Sequence, residues 1–138
     1  MSRMTKEELK QRVCDAIIDA QPRLREIAES IMDEPELGYK EVKTSKKVRD
    51  MFDELGIPYT SDHALTGVKG RLKGSDSKYT VAMIGELDAI LCPRHPRADD
   101  LTGAAHCCGH NIQIANMFAV AIGLQSIMHE LAGDVVLF

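Results

Sequence analysis

The chain has 138 residues, of which 44% are hydrophobic and 28% charged, with a formal net charge of −4 at pH 7. That length fits one domain, or part of one, with a sizeable core, and the composition excludes a disordered chain. An acidic balance with no Trp, three Tyr and three Phe argues against a nucleic-acid surface, which needs a basic field and stacking rings.

In chain order, apolar residues at three-and-four spacing from Leu9 to Ile31 predict a helix over 5–33. Thr5 and Glu8 form a candidate capping box, and Pro22 is expected to kink or divide the helix. Val42, Val48, Met51, Phe52 and Leu55 mark a second helix over 40–55, stopped by Gly56 and Pro58. The period then changes. Residues 57–60 and 67–73 read as short strands, 73–77 as a turn, and the compact apolar run 79–85 as a buried strand. Residues 91–105, with two prolines and no period, read as a long functional or mobile loop. Residues 111–131 read as a helix apolar nearly all round, with Asn111 as a candidate N-cap. This stretch contains Gln113, Asn116, Gln125, His129 and Glu130, so it fits a buried helix better than a membrane span. Val135–Phe138 begins another buried strand. The order implies an α/β fold with at least one crossover between parallel strands.

The first thirteen residues are charged and lack the apolar run of a secretory signal. A cytoplasmic location is therefore expected, with the four cysteines as thiols and no membrane partner.

The densest chemistry lies between Gly103 and Asn111, where His106, Cys107, Cys108 and His110 fall within five residues at a loop-to-helix junction. Thiolate and imidazole are standard ligands for zinc and similar ions. Cys108 and His110, two apart around Gly109, could face one metal. The spacing is equally consistent with a structural Cys beside a polar loop His, because no second ligand pair is visible. A nucleophilic Cys108 assisted by His106 or His110, or a thiol-redox pair of Cys107 and Cys108, is a further alternative. The second cluster is Glu86 and Asp88, two apart at the end of the 79–85 strand, where sites gather in α/β sheets. Such carboxylates can ligate a metal or orient a ligand histidine, or can be two solvated acids.

Four segments together resemble the amino-terminal part of peptidase family M20, in the subfamily of aminoacylase, hippurate hydrolase and aminobenzoyl-glutamate hydrolase type. Asp33–Glu41 resembles the family's "HPELGYEE" link, and Gly85–Ile90 its "RADMDALP" strand end. Gly103–Asn111 resembles "GxMHACGHD", and Leu131–Phe138 resembles "LxGxVxLLF". The resemblance implies a partial three-layer α/β/α sandwich of the zinc-dependent exopeptidase (phosphorylase/hydrolase-like) type. Its chemistry would be metal-dependent hydrolysis of a small amide, an N-acyl amino acid or a dipeptide-like substrate, by two zinc or manganese ions. Cys108 would bridge the ions, His110 would ligate one, and Asp88 would sit beside them in an orienting role, with Glu86 and His106 as further candidates. Three positions depart from the common pattern: Glu86 stands where Asp is usual, Cys107 replaces Ala and Asn111 replaces Asp.

Family members continue after the "LLF" strand with "QPAEE", which carries the general-base Glu and another ligand. The resemblance therefore implies that 1–138 is the amino-terminal part of a catalytic domain, with the lid domain and carboxyl-terminal part elsewhere. Such a chain would be inactive alone. A homo-oligomer or a complementing carboxyl-terminal chain is expected, joined through the terminal strand and the 111–131 helix at Ile114, Met117, Phe118, Ile122, Val135 and Leu137. A non-catalytic oligomerising or split-subunit module is the alternative.

Overall fold

The computed structural model describes residues 4–138. Thr5 caps the first helix, α1 (Lys6–Asp19), by accepting from the Glu8 amide while the Glu8 carboxylate accepts from the Thr5 amide at 2.7 Å. The apolar stripe continues into α2 (Gln21–Met32), but Pro22 lies in the first turn of α2, so the long predicted helix is two helices meeting at Ala20. A linker carrying Pro35 to Lys40 leads to α3 (Val42–Glu54). Strands β1 (Tyr59–His63), β2 (Gly67–Leu72) and β3 (Thr80–Met83) follow.

The predicted long loop is not structureless. It contains β4 (Ile90–Leu91) and β5 (Ala104–Ala105), paired antiparallel. Arg97 anchors its middle to α2, with ion pairs to Glu29 at 2.8 Å and to Asp33. Helix α4 (His110–Gln125) is shorter than its apolar pattern, because a separate 3-10 turn occupies Met128–Glu130 before β6 (Asp134–Leu137).

The main sheet has the order β1-β2-β6-β3. β6 is antiparallel to β2 and parallel to β3, so α4 is the crossover between two parallel strands. Buried side chains of α2, α3, β2, α4 and β6 form one cluster. At its centre the Phe52 and Phe118 rings meet edge-on at 5.3 Å. α1 packs on α4 across Gly123, where a Cβ would come within 2.8 Å of Val13. The mixed α/β architecture is the expected one. No described helix is long and apolar enough to cross a membrane.

The surface expected to seek a partner is not where the sequence placed it. β6 is interior, hydrogen-bonded on both sides, and Leu137 is fully buried. Ile114, Met117 and Phe118 are buried too, with Phe118 against Phe52 of α3 and Ile114 facing Gly85 at the end of β3, while Ile122 and Val135 are partly covered. The open apolar edge is β3 instead, with Val81 65% and Ile84 67% exposed.

Candidate metal centre

Two segments converge at the end of the sheet. The first leaves β3 through Gly85 and carries Glu86 and Asp88. It is pinned by the linker after α2: Ala89 donates to the Glu36 carbonyl at 2.7 Å, and Leu37 bridges Ala89 in parallel. The same Glu36 accepts from the Lys43 and Thr44 amides through its carboxylate, satisfying the start of α3. Thus the Pro35–Glu41 stretch fixes Asp88 and the neighbouring helix together. Glu41 is itself buried, accepting from the Tyr39 amide and the Thr66 hydroxyl.

The second segment is the turn before α4. Gly109 adopts φ 82°, a left-handed conformation, and is the N-cap, so the helix begins at His110. Asn111 is therefore not the cap. It is buried inside the first turn, and its side-chain amide donates to the Ala28 carbonyl at 3.2 Å.

His110 is the point of convergence. Its Nδ1 lies 2.8 Å from the Asp88 carbonyl oxygen and 3.0 Å from Asp88 Oδ1. Both partners are acceptors, so Nδ1 carries the proton and donates. The Nε2 lies 3.0 Å from Glu86 Oε2. Gln113 holds Glu86 in place: its Oε1 accepts from the Glu86 amide at 3.1 Å, and its Nε2 donates to Glu86 Oε2 at 3.2 Å. In the sequence Gln113 counted only as one of the polar residues of the 111–131 stretch and not as a site residue. Its position one turn along α4 from His110 is the only signal it carried.

Cys108 is exposed and lies two residues before His110, just ahead of the helix. His106 is buried, 4% exposed, and neither ring nitrogen has a hydrogen-bond partner among the described residues. Desolvation first, then the nearby His110, lowers its pKa and favours the neutral ring. Cys107 is exposed, with Cys92 and Cys108 as neighbouring thiols. Desolvation first, and then the neighbouring Cys92 and Cys108 thiols, raise its pKa. A raised value means less thiolate, which does not favour a Cys107–Cys108 redox pair.

The residues fit a divalent metal in kind. An imidazole whose Nδ1 is tied to a carboxylate presents Nε2 as ligand in the standard orientation, the Glu86 carboxylate stands beside it, and Cys108 is two residues away along the chain. His110 Nε2 and Glu86 Oε2 lie 3.0 Å apart, in direct hydrogen-bonding contact. In number the donors fall short: among the described residues no group of three or more His, Cys, Asp or Glu side chains is arranged to hold an ion. Next to Glu86 and Asp88 lies an open cleft of about 380 Å³, lined also by Tyr39, Glu41, His63 and Thr66.

Known proteins resemble this chain in sequence and fold. The chain is 33% identical over 114 residues to the IAA-amino acid hydrolase ILR1-like 5 of Arabidopsis thaliana, covering 80% of this chain and 26% of the relative. It is 31% identical over 117 residues to the N-acetylcysteine deacetylase of Bacillus subtilis, covering 82% of this chain and 31% of the relative. The solved YxeP protein of Bacillus subtilis, described as a dinuclear metal binding peptidase from the M20 family, superposes with a TM-score of 0.75 at 29% identity. That superposition covers 84% of this chain and 34% of YxeP. Over the stretch it shares with these proteins, the chain is similar in sequence and fold to M20-family proteins. A structure from methicillin-resistant Staphylococcus aureus shares the fold, with a TM-score of 0.81 at 22% identity over 92% of this chain. No protein-family model matches. The chain spans roughly a quarter to a third of the length of the M20 relatives it matches.

Proposed function

We propose that this chain supplies the Cys108–His110 segment of a divalent-metal centre in an M20-type amide hydrolase, with zinc or manganese as the ion. One observation carries the reading. His110, at the first position of α4, is held through Nδ1 by both the carbonyl and the carboxylate of Asp88, which leaves Nε2 to a ligand. Cys108 and His110 hold the ion, Asp88 orients His110, and Glu86, braced by Gln113, stands at the ion's side. When bound, the metal supplies Lewis acidity toward an amide carbonyl.

The cleft beside Asp88 takes the substrate, a small amide of the N-acyl amino acid or dipeptide type. The names of the relatives, an amino-acid conjugate hydrolase and a deacetylase, agree with that class. The general base and the remaining ligands come from further polypeptide, whether in the same chain or in a complementing one. The 138 residues alone are then expected to be inactive.

Calorimetric titration with Zn2+ and Mn2+ tests the centre. Asp88→Asn is expected to weaken binding about 10- to 100-fold, as loss of a ligand's orienting partner does, while the fold persists. Equal affinity in Asp88→Asn and the unaltered chain would reject the assignment of Asp88.

A further inference from the structure

Cys108 and His110 belong to a short loop whose two ends are buried. His106 closes the first end, directly after Ala104 and Ala105 of β5, which are fully enclosed. Asn111 closes the second, in the first turn of α4, with 2% of its surface exposed. Between them Cys107 and Cys108 are exposed and Gly109 is left-handed. The chain turns at both ends: the Cys107 amide donates to the Ala105 carbonyl at 3.0 Å, and the Ile112 amide to the Gly109 carbonyl at 2.9 Å. Three enclosed side-chain atoms at these ends have no hydrogen-bond partner among the described residues: both ring nitrogens of His106 and Oδ1 of Asn111. The Asn111 amide nitrogen is committed to the Ala28 carbonyl at 3.2 Å, which leaves Oδ1 as an acceptor in want of a donor. An imidazole carries at least one N–H in either protonation state. Buried polar groups ordinarily find partners. Atoms already enclosed are out of reach of further polypeptide, so their partner is the size of a water molecule.

We propose that one enclosed water joins the two ends, accepting from a His106 N–H and donating to Asn111 Oδ1, and that this clasp sets the loop that presents Cys108 and His110. A bridging water is enthalpically nearly as good as a direct hydrogen bond, and it satisfies two groups that no side chain reaches. Because Asn111 also holds the Ala28 carbonyl of α2, the clasp ties the turn after β5 to the helices as well as to α4. The loop between the clasped ends is four residues long and carries both ligands, so a shift at either end is passed on to them. His106 and Asn111 are then positioning residues, acting on an ion only through Cys108 and His110. The positioning role rests on the metal reading; the water clasp does not.

Two measurements on the full chain test this. In water-selective NOE spectra of the reduced, metal-free chain, a long-lived water is expected to give cross-peaks to the His106 ring and to the Asn111 side-chain amide. Co2+ titration then reads the positioning. His106→Leu and Asn111→Leu should each weaken Co2+ binding about 10-fold. The double variant should also lose about 10-fold and not about 100-fold, because both substitutions remove one shared contact. His106→Gln, which keeps an N–H donor, should recover most of the affinity that His106→Leu loses. Circular dichroism identifies the folded variants, and if a leucine variant fails to fold, the cross-peaks of the unaltered chain and the affinity of His106→Gln decide. Missing water cross-peaks at either side chain, losses that multiply in the double variant, or equal Co2+ affinity in His106→Leu and the unaltered chain would each overturn the proposal. An unaltered chain that takes up no Co2+ would overturn the metal reading and the positioning role with it, while the cross-peaks still decide the clasp.

Discussion

β6 and β3 lie side by side, parallel and in register from Thr80 against Asp134 to Met83 against Leu137. Both are apolar runs that read as buried strands, yet Leu137 is fully buried while Val81 is 65% exposed. The difference comes from neighbours and not from residue type. β6 has β2 on its other flank, whereas no described strand lies on the other side of β3. An apolar run records what a strand is suited to touch, and only the topology tells what it does touch. The centre at the end of the sheet depends on both strands, since β3 delivers Glu86 and Asp88, and β6 holds β3 in place.

The widest separation between the two strands should appear in stability. Leu137→Ala empties a fully enclosed site and is expected to cost about 2–5 kcal/mol. Val81→Ala should change the monomer's stability by no more than about 0.5 kcal/mol. Urea unfolding at matched low protein concentration checks both, and similar losses would erase the distinction between centre and edge. At the site, Gly109→Ala meets no neighbouring atom but forces a left-handed backbone on a residue with a Cβ. The expected cost is about 1–2 kcal/mol, measurable by the same unfolding curves. A smaller cost would mean that the turn before α4 relaxes.

The start of β6 gives a pH signature that β3 lacks. Asp134 is buried, accepts from the Ser77 hydroxyl, the Gly74 amide and Arg71, and its pKa is lowered to about 2 from 3.8. A lowered folded value means that the carboxylate's stabilisation is fully present above the unfolded value near 4 and is lost as pH falls through about 2. Asp134→Asn should therefore be destabilised at pH 7, with the difference from the unaltered chain shrinking below pH 4. A difference independent of pH would point to packing alone. The smallest effect is expected at the surface: Arg97→Ala, removing exposed pairs with Glu29 and Asp33, should shift the urea midpoint least of these variants, and the shift should fade in salt. A larger loss would show that the β4–β5 excursion depends on this anchor.

Local signals were legible in the sequence and non-local partners were not. The Thr5–Glu8 cap, the break at Pro22 and the strand–helix–strand crossover all follow from neighbours a few residues apart. The β4–β5 pair was missed because its strands are two residues each and have no period to read. The interior place of β6 depends on β2, some 65 residues earlier in the chain. At the site, the Asp88 and His110 types marked the chemistry. What aligns them is the Glu36–Ala89 hydrogen bond, the Gly109 turn and the Gln113 brace, contacts that no spacing rule encodes. Asn111 shows the reverse error. Its type suits a cap, but the φ of Gly109 moves the helix start and sends Asn111 into the core.

Cobalt binding tests the metal centre most directly. Co2+ added to the reduced chain is expected to develop a thiolate-to-metal absorption band, because Cys108 supplies the sulfur ligand. The band should vanish in Cys108→Ser, weaken in His110→Ala and persist in Cys107→Ser, and circular dichroism should show all three variants folded. A band that survives Cys108→Ser and disappears in Cys107→Ser would contradict the account, placing the metal on the Cys92–Cys107 thiols instead of beside His110.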